Sequence, residues 1–473
     1  MIWINITSEG GSMNSICVKI GIAFCLSASL LLANEEKEEI RVVLGSEHSL
    51  LPALIEPIEQ NTTAFPPEYL SRIRNVLLFD MNTNGMTHAL EGQDHQAAQA
   101  ALGTPSYEGD LNLEKLREKN ISYLIRWKID DTTLSAKVAQ ITSGTERQVS
   151  PITLCGDLSK DRGKIHQLAD CIHSMLFGKP GVADTKIIYT IKKKVSVDQK
   201  EPLFFSEVVQ ADYDGFNVHA LTNTHSLCVT PALAPTPSKR SGNTLLYVSY
   251  ELGQPKIFAK SPHDGHVYRV TLMRGNQLTP AVSKDGSMIA FCSDITGTAD
   301  LYVVPFEEDV GSVGKPQQAY HAKGAATACP TFSPDGKKIA FVSNKDGSPK
   351  IYIMDVPAPG TKVADLHPKL ITKRCRENTA PAWSPDGKKI AYSAKNQGDR
   401  QIWIYDIERD KEEQLTEGKG GKESPSWAPD SLHLVFHGYS AENADIYLVN
   451  LNQPKPVKIS SGPGDKQFAC WAP

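Results

Sequence analysis

Over the last three-fifths of the chain, apolar and polar positions recur in one phrase. It reads Thr279-Pro-Ala-Val-Ser-Lys-Asp-Gly-Ser-Met-Ile-Ala-Phe, then Cys329-Pro-Thr-Phe-Ser-Pro-Asp-Gly-Lys-Lys-Ile-Ala-Phe, Ala380-Pro-Ala-Trp-Ser-Pro-Asp-Gly-Lys-Lys-Ile-Ala-Tyr and Ser424-Pro-Ser-Trp-Ala-Pro-Asp-Ser-Leu-His-Leu-Val-Phe. A degenerate copy stands at Thr230-Pro-Ala-Leu-Ala-Pro and a truncated one closes the chain at Phe468-Ala-Cys-Trp-Ala-Pro. The marker residues Leu233, Val282, Phe332, Trp383, Trp427 and Trp471 are spaced by 49, 50, 51, 44 and 44 residues. Such regular self-similarity marks a repeat architecture. Within each copy, Pro-x-Trp/Phe ends a first strand, Asp-Gly turns the chain because Gly tolerates positive φ, and Ile-Ala-Phe/Tyr starts a second strand. Alternating stretches such as Lys350-Ile-Tyr-Ile-Met-Asp355 supply a third, and Leu-Thr pairs such as Leu415-Thr416 end a fourth. A lone four-stranded sheet leaves its faces and edges open, and radial stacking covers the faces. The expected fold is mainly β: a six-bladed β-propeller with a small N-terminal α/β domain.

The chain stops inside a sixth first strand, so the other three strands of that blade must come from elsewhere. Lys186–Ile191, Pro202–Val209 and Phe216–Thr222 supply them, closing the ring between its two ends. The propeller then spans 186–473, 288 residues, or 48 per blade. Residues 34–185 follow another pattern. Pro66-Pro67-Glu68 opens a helix with Leu70, Ile73 and Leu77 on one face. A short helix at Leu113–Asn120 feeds the strand Ile121–Trp127, which pairs across Asp130-Asp131 with Thr133–Ile141. A last helix from about Lys160 to Phe177 stops at Gly178. These elements predict helices packed on one sheet.

Ile20–Ala33 is apolar for 14 residues, about 20 Å as a helix against a bilayer core of roughly 30 Å. A signal peptide over 1–33, cleaved near Ala33 and started at Met13, matches this length and the preceding Lys19. Cleavage removes Cys17 and Cys25 and leaves seven widely spaced cysteines. They form no CxxC metal pattern and read as small buried hydrophobes. Lys plus Arg (50) nearly balance Asp plus Glu (54), for a net charge of −4. With no basic block, nucleic acid is excluded as the main partner.

The order of parts resembles the TolB family, the periplasmic β-propeller proteins of the Tol-Pal system. The resemblance rests on an exported precursor, a small α/β domain, Asp212-Tyr-Asp-Gly-Phe-Asn217 before the first repeat, and the Ser-Pro-Asp-Gly-Lys-Lys-Ile-Ala repeats. It implies a non-enzymatic periplasmic adaptor that links the lipoprotein Pal, at one mouth of the propeller, to TolA, for outer-membrane integrity and cell division. It implies no cofactor, no small-molecule substrate, a monomer, and membrane association only through partners. TolA is expected on the mature N-terminal segment Asn34–Val43, with Glu39, Ile40, Arg41, Val42 and Val43 as an edge strand able to join a partner sheet. The family further implies that occupancy by one partner biases the other.

First strands line a propeller's channel, so the residues just before each Pro gather at one rim. Those are His225 and Thr230; Gln277 and Thr279; Thr327 and Ala328; Arg376, Glu377, Asn378 and Thr379; Lys422, Glu423 and Ser424; and Gln467 and Phe468. Such a polar rim of mixed charge suits a protein partner, with Phe468 and Arg376 as candidate hot spots. A merely solvated loop residue is the plain alternative for each. Asp335, Asp386 and Asp430 resemble catalytic or metal-binding carboxylates, but their place in the Pro-Asp turn makes them turn formers. No catalytic and no metal residue is assigned. The alternative reading is a propeller-type hydrolase or sugar-processing enzyme with a channel site. The peptidase form of that reading needs a Gly-x-Ser-x-Gly elbow, which does not occur.

Overall fold

Two consecutive prolines decide where the first helix begins. Proline lacks an N–H and fixes φ near the helical value, so Pro67 sits in the first turn and Pro66 stays extended before it. The computed structural model describes residues 49–60, 64–102, 106–194, 204–235, 242–440 and 443–472. The signal reading, with Met13, Cys17 and Cys25, and the segment Asn34–Val43 lie outside the described residues.

The N-terminal part holds strands β1 (Leu51–Ile55), β2 (Glu59–Gln60), β3 (Thr87–Ala89), β4 (Tyr123–Asp130), β5 (Thr133–Gln140) and β6 (Thr145–Thr153). Its main order is β3-β1-β4-β5-β6, parallel through β4 and antiparallel beyond. Helices α1 (Pro67–Thr83), α2 (Gly92–Leu102), α3 (Leu113–Glu118) and α4 (Leu158–Phe177) cover it. Alternation along β1 and β4 sends Ala53, Ile55, Tyr123 and Ile125 to the α1/α4 side and Leu54 and Leu124 to the α2/α3 side. Helices on one sheet were expected; the sheet is covered on both faces. The overlooked helix is α2, whose Gln- and Ala-rich sequence has no wide apolar stripe and buries Ala98 instead. Helix α4 ends as read, with Gly178 at φ 69°.

Six further sheets among the described residues form the blades. Blade 1 runs Cys228–Ala234, Thr244–Ser249, Lys256–Lys260 and Val267–Arg269; blades 2 to 5 repeat that antiparallel order through Lys458. Blade 2 departs by a short hairpin strand at Gly311–Ser312 ahead of its outer strand Gln317–Tyr320. Blade 6 joins the two ends: Asp465–Ala472 pairs with Lys186–Lys194, followed outward by Phe204–Asp212 and His219–Ala220. The Ser-Pro-Asp-Gly turns work through their carboxylates. Asp335 accepts from Ser333 Oγ at 2.5 Å and Lys337 N at 3.1 Å, and Asp386 accepts likewise from Ser384 and Lys388. The Leu-Thr signature has a similar cause, since Thr372, Thr416 and Ser460 hydroxyls accept the third-strand N–H groups of Ile351, Ile402 and Ile446. Among the described residues no helix is long and apolar enough to cross a membrane.

Candidate partner-binding rim and domain clamp

Each first strand starts at one face of the ring and carries a bulge one residue before its proline position. The register of all six first-to-second strand pairings shifts there. Thr230, Thr279, Cys329, Ala380, Ser424 and Phe468 take φ between 47° and 54°. A left-handed residue with a Cβ costs roughly 1–2 kcal/mol, so neighbours must hold it. Across the seams, Ser424 N–H donates to Ser393 Oγ at 3.0 Å, Cys329 N–H to Thr279 Oγ1 at 3.3 Å and Phe468 N–H to His437 Nδ1 at 3.4 Å. His437 is buried, which pushes its pKa down to about 3 and keeps the ring neutral, as an acceptor must be.

The fifteen predicted rim residues divide by burial. His225 and Arg376 are exposed, while Thr230, Thr279, Ala328, Glu377, Glu423, Ser424 and Gln467 are half-buried. Gln277, Thr327, Asn378, Thr379, Lys422 and Phe468 are buried. The last group, expected at the rim, is not available there as exposed side chains. Gln277 donates to Met273 O and accepts from Ile257 N, Asn378 donates to Cys375 O, and Lys422 Nζ lies among the Gly418, Lys419 and Gly420 carbonyls. Phe468 packs edge-on against His437, so its ring closes a seam rather than anchoring a partner. Two residues before each left-handed position the side chain turns between blades, and alternation hides every residue in that register. Arg400 joins Glu377 at 2.7 Å and Glu423 at 3.3 Å, tying blades 4 and 5 at the rim.

The opposite face carries the N-terminal domain. His433, in the first turn of blade 5, reaches Thr83 O at 2.5 Å; Asn452 Nδ2 donates to Gly85 O at 2.8 Å, and Trp471 Nε1 to Thr185 Oγ1 at 2.8 Å. The Asp212–Asn217 motif is the clamp between the two parts. Tyr213 OH donates to Asp80 Oδ1 at 2.6 Å, and Arg162 Nε donates to Asp214 Oδ2 at 2.8 Å while its guanidinium lies 3.7 Å from the Phe216 ring centroid. Asn217 Nδ2 donates to Ser159 O at 3.0 Å, and Asp212 pairs with Lys186 at 2.7 Å. Gly215 packs so closely on the Ile459 carbonyl that a Cβ would collide with it. His166, fully buried, has Asp80 at 3.0 Å from Nδ1 and Asp214 at 3.2 Å from Nε2. Burial alone would discharge the ring, but the two carboxylates outweigh it and hold the pKa up to about 10. Three carboxylates thus face three cations.

The sign of that shift makes a prediction. The unfolded imidazole titrates near 6.5, so the stability from its charged form is fully present below that pH and is lost as pH rises toward about 10. Urea midpoints measured at pH 6, 8 and 9.5 should fall with rising pH, and His166→Asn should flatten the decline. Equal slopes in the two proteins would show that His166 is not charged in the clamp.

Among the described residues, two trios place potential ligand atoms within 4.8 Å of one another, His166–Asp212–Asp214 and His263–Glu308–Asp309. In the first, Arg162 and Lys186 already neutralise the carboxylates. His173 Nδ1 lies 3.0 Å from Lys179 O, away from such a set, and Asp430 accepts from the His433 ring and two backbone N–H groups. Cys228, Cys292 and Cys375 are buried as expected, while Cys155 and Cys171 are exposed, against the expectation of burial. Sequence reasoning missed the clamp's Asp80, Arg162 and His166, though the Asp212–Asn217 motif outside the repeat was its visible half.

A family model described as the TolB beta propeller domain matches residues 173–473. A protein TolB homolog of Protochlamydia amoebophila is 44% identical over 405 residues, covering 85% of each chain. Another, of Chlamydia trachomatis serovar D, is 33% identical over 389 residues, covering 82% of this chain and 80% of that one. The crystal structure of TolB from Acinetobacter baumannii superposes with a TM-score of 0.73 at 20% identity, over 91% of this chain and 98% of that chain. At that identity the likeness speaks for the fold.

Proposed function

The chain belongs to the TolB family, and from that premise we propose that it acts as a non-enzymatic periplasmic adaptor of a Tol-Pal system, linking Pal to TolA. The observation that carries the reading is the two-sided ring. One face is occupied by the N-terminal domain through buried bonds, while the rim at the other ends of the same strands is open. A rigid ring with one free face suits capture of a folded domain, because both surfaces are organised before they meet. The exposed and half-buried rim residues, His225, Thr230, Thr279, Ala328, Arg376, Glu377, Glu423, Ser424 and Gln467, are the proposed Pal contacts. The segment Asn34–Val43 is the proposed TolA contact, adding as a strand to a partner sheet. In this reading residues 1–33 are an export signal, 34–185 the α/β domain and 186–473 the propeller.

The test uses the mature chain with the soluble domains of Pal and TolA as separate probes. Both should bind, and deletion of Asn34–Val43 should abolish TolA binding while the thermal transition stays in place. Retained TolA binding after the deletion would move that contact elsewhere. A chain that binds neither probe would refute the adaptor.

A further inference from the structure

The open rim is chemically divided, and the division follows the blades. Around blades 1 and 2 three exposed aliphatic side chains stand at loop tips, Leu252 (55% exposed), Leu272 (81%) and Ile295 (45%), beside the exposed Glu251 and Arg274, whose charges are of opposite sign. Their loops are bonded into one platform. Gln277 N–H donates to Pro255 O at 2.9 Å and Asn276 N–H to Asp294 Oδ1 at 2.7 Å, while Lys256 Nζ reaches Met273 O at 3.4 Å. Around blades 2 to 4 the same rim turns cationic. Lys323, Lys345, Lys373, Arg374 and Arg376 are all exposed on three successive loops, 321–326, 344–349 and 372–376. These loops too are joined: Ala326 N–H donates to Asn344 Oδ1 at 2.7 Å, Asn378 N–H to Pro349 O at 2.9 Å and Lys350 Nζ to Cys375 O at 2.5 Å. The acid on them, Asp346, is bonded by Tyr352 OH at 2.5 Å, and Lys373 N–H is pinned to Glu412 Oε1 at 2.8 Å.

We infer that this rim docks a folded protein with an acidic flank in one orientation, acid over blades 3 and 4 and an apolar patch over blades 1 and 2. The inference rests on the adaptor reading and names the chemistry of its rim partner. Lys373 is met by Asp410 at 3.4 Å and Lys345 lies over the Tyr352 ring, but the set keeps an excess of positive charge on anchored loops, which steers an oppositely charged surface and sets its approach rate, falling as salt screens it. Apolar tips on anchored loops act later, because they strengthen the complex only once water has left the contact. A polyanion alone would match the cations and leave Leu272 in water; the pairing of the two sectors favours a protein. The loops cross between blades through their backbone, but the side chains of Leu272, Arg374 and Arg376 are exposed, so substituting them leaves the ring intact.

Association and dissociation rates of the soluble Pal domain on the mature full-length chain separate the two contributions. The double variant Arg374→Glu with Arg376→Glu should slow association about tenfold at low salt, and lose most of that difference near 0.5 M salt. Leu272→Ser should leave association alone and raise dissociation roughly five- to tenfold. Unchanged melting temperatures would assign both effects to the surface. Wild-type rates in both variants would overturn the inference while leaving the adaptor reading standing. Loss of binding to phosphatidylglycerol vesicles in the charge variant, with Pal binding intact, would reassign the cations to a membrane and also overturn it. If the unaltered chain does not bind Pal, the adaptor reading falls and this inference with it.

Discussion

Deleting residues 465–473 is expected to abolish the cooperative thermal transition of the ring. That segment supplies the inner strand of blade 6, paired from Asp465 with Lys192 to Ala472 with Lys186. Without it the three strands from 186 to 220 lose their inner neighbour, and the first strand of blade 1 loses one flank. The tail also belongs to two cores at once. Phe468 shares one core with Val229, Leu246 and Phe291 of blades 1 and 2, and Trp471 shares another with Ile187, Ala428 and Val435 and with residues of the N-terminal domain. Truncating one buried aromatic side chain costs about 3–5 kcal/mol, and whole proteins are stable by roughly 5–15 kcal/mol. Two such losses with a strand's backbone bonds leave little margin. Circular dichroism melts and gel filtration would show a broad, early loss of structure and an expanded chain. A deletion protein as compact and heat-resistant as the parent would remove the case for closure through the two ends. Trp471→Ala should retain the fold and melt several degrees lower, which separates closure from bulk core loss.

The second large effect is expected at the domain clamp. Asp214→Ala leaves Arg162 without its carboxylate and His166 without one of two, both of them buried. Breaking a buried pair from one side costs about 3–5 kcal/mol, because the remaining charge keeps its desolvation penalty. Pairing that change with Arg162→Met should recover part of the loss, since the orphaned cation is then gone. Denaturant midpoints of the two single variants and the double would measure the coupling. Strictly additive losses would mean that the pair is screened and the clamp is held by packing alone. Gly215→Ala tests the same loop by shape, because the added methyl meets the Ile459 carbonyl at a backbone with φ 87°; it should loosen the domains without altering any charge.

Both effects concern parts of the molecule that differ in how visible they are in sequence. The tail's role was legible: Phe468-Ala-Cys-Trp-Ala-Pro is a copy of the repeat cut short, and a repeat cut short requires its complement at the other end. The clamp was half legible. Asp212–Asn217 stood out as a motif, but its partners Asp80, Arg162 and His166 come from two helices far away along the chain. Helix α2 was illegible for a different reason, because alanine buries a small surface and leaves little periodic signal.

Local physics in the sequence alone determined the blade: period-2 alternation, Asp-Gly turns that need a residue tolerant of positive φ, and a spacing of 44 to 51 residues that repeats it around a ring. Which rim residues face solvent was decided only by tertiary structure. Gln277, Asn378 and Lys422 look as polar as Arg376, yet the bulge and twist of each first strand turn them between blades while Arg376 stays outside. Burial depends on what neighbouring blades place against a side chain, and that relation between distant segments is carried by no local run of residues.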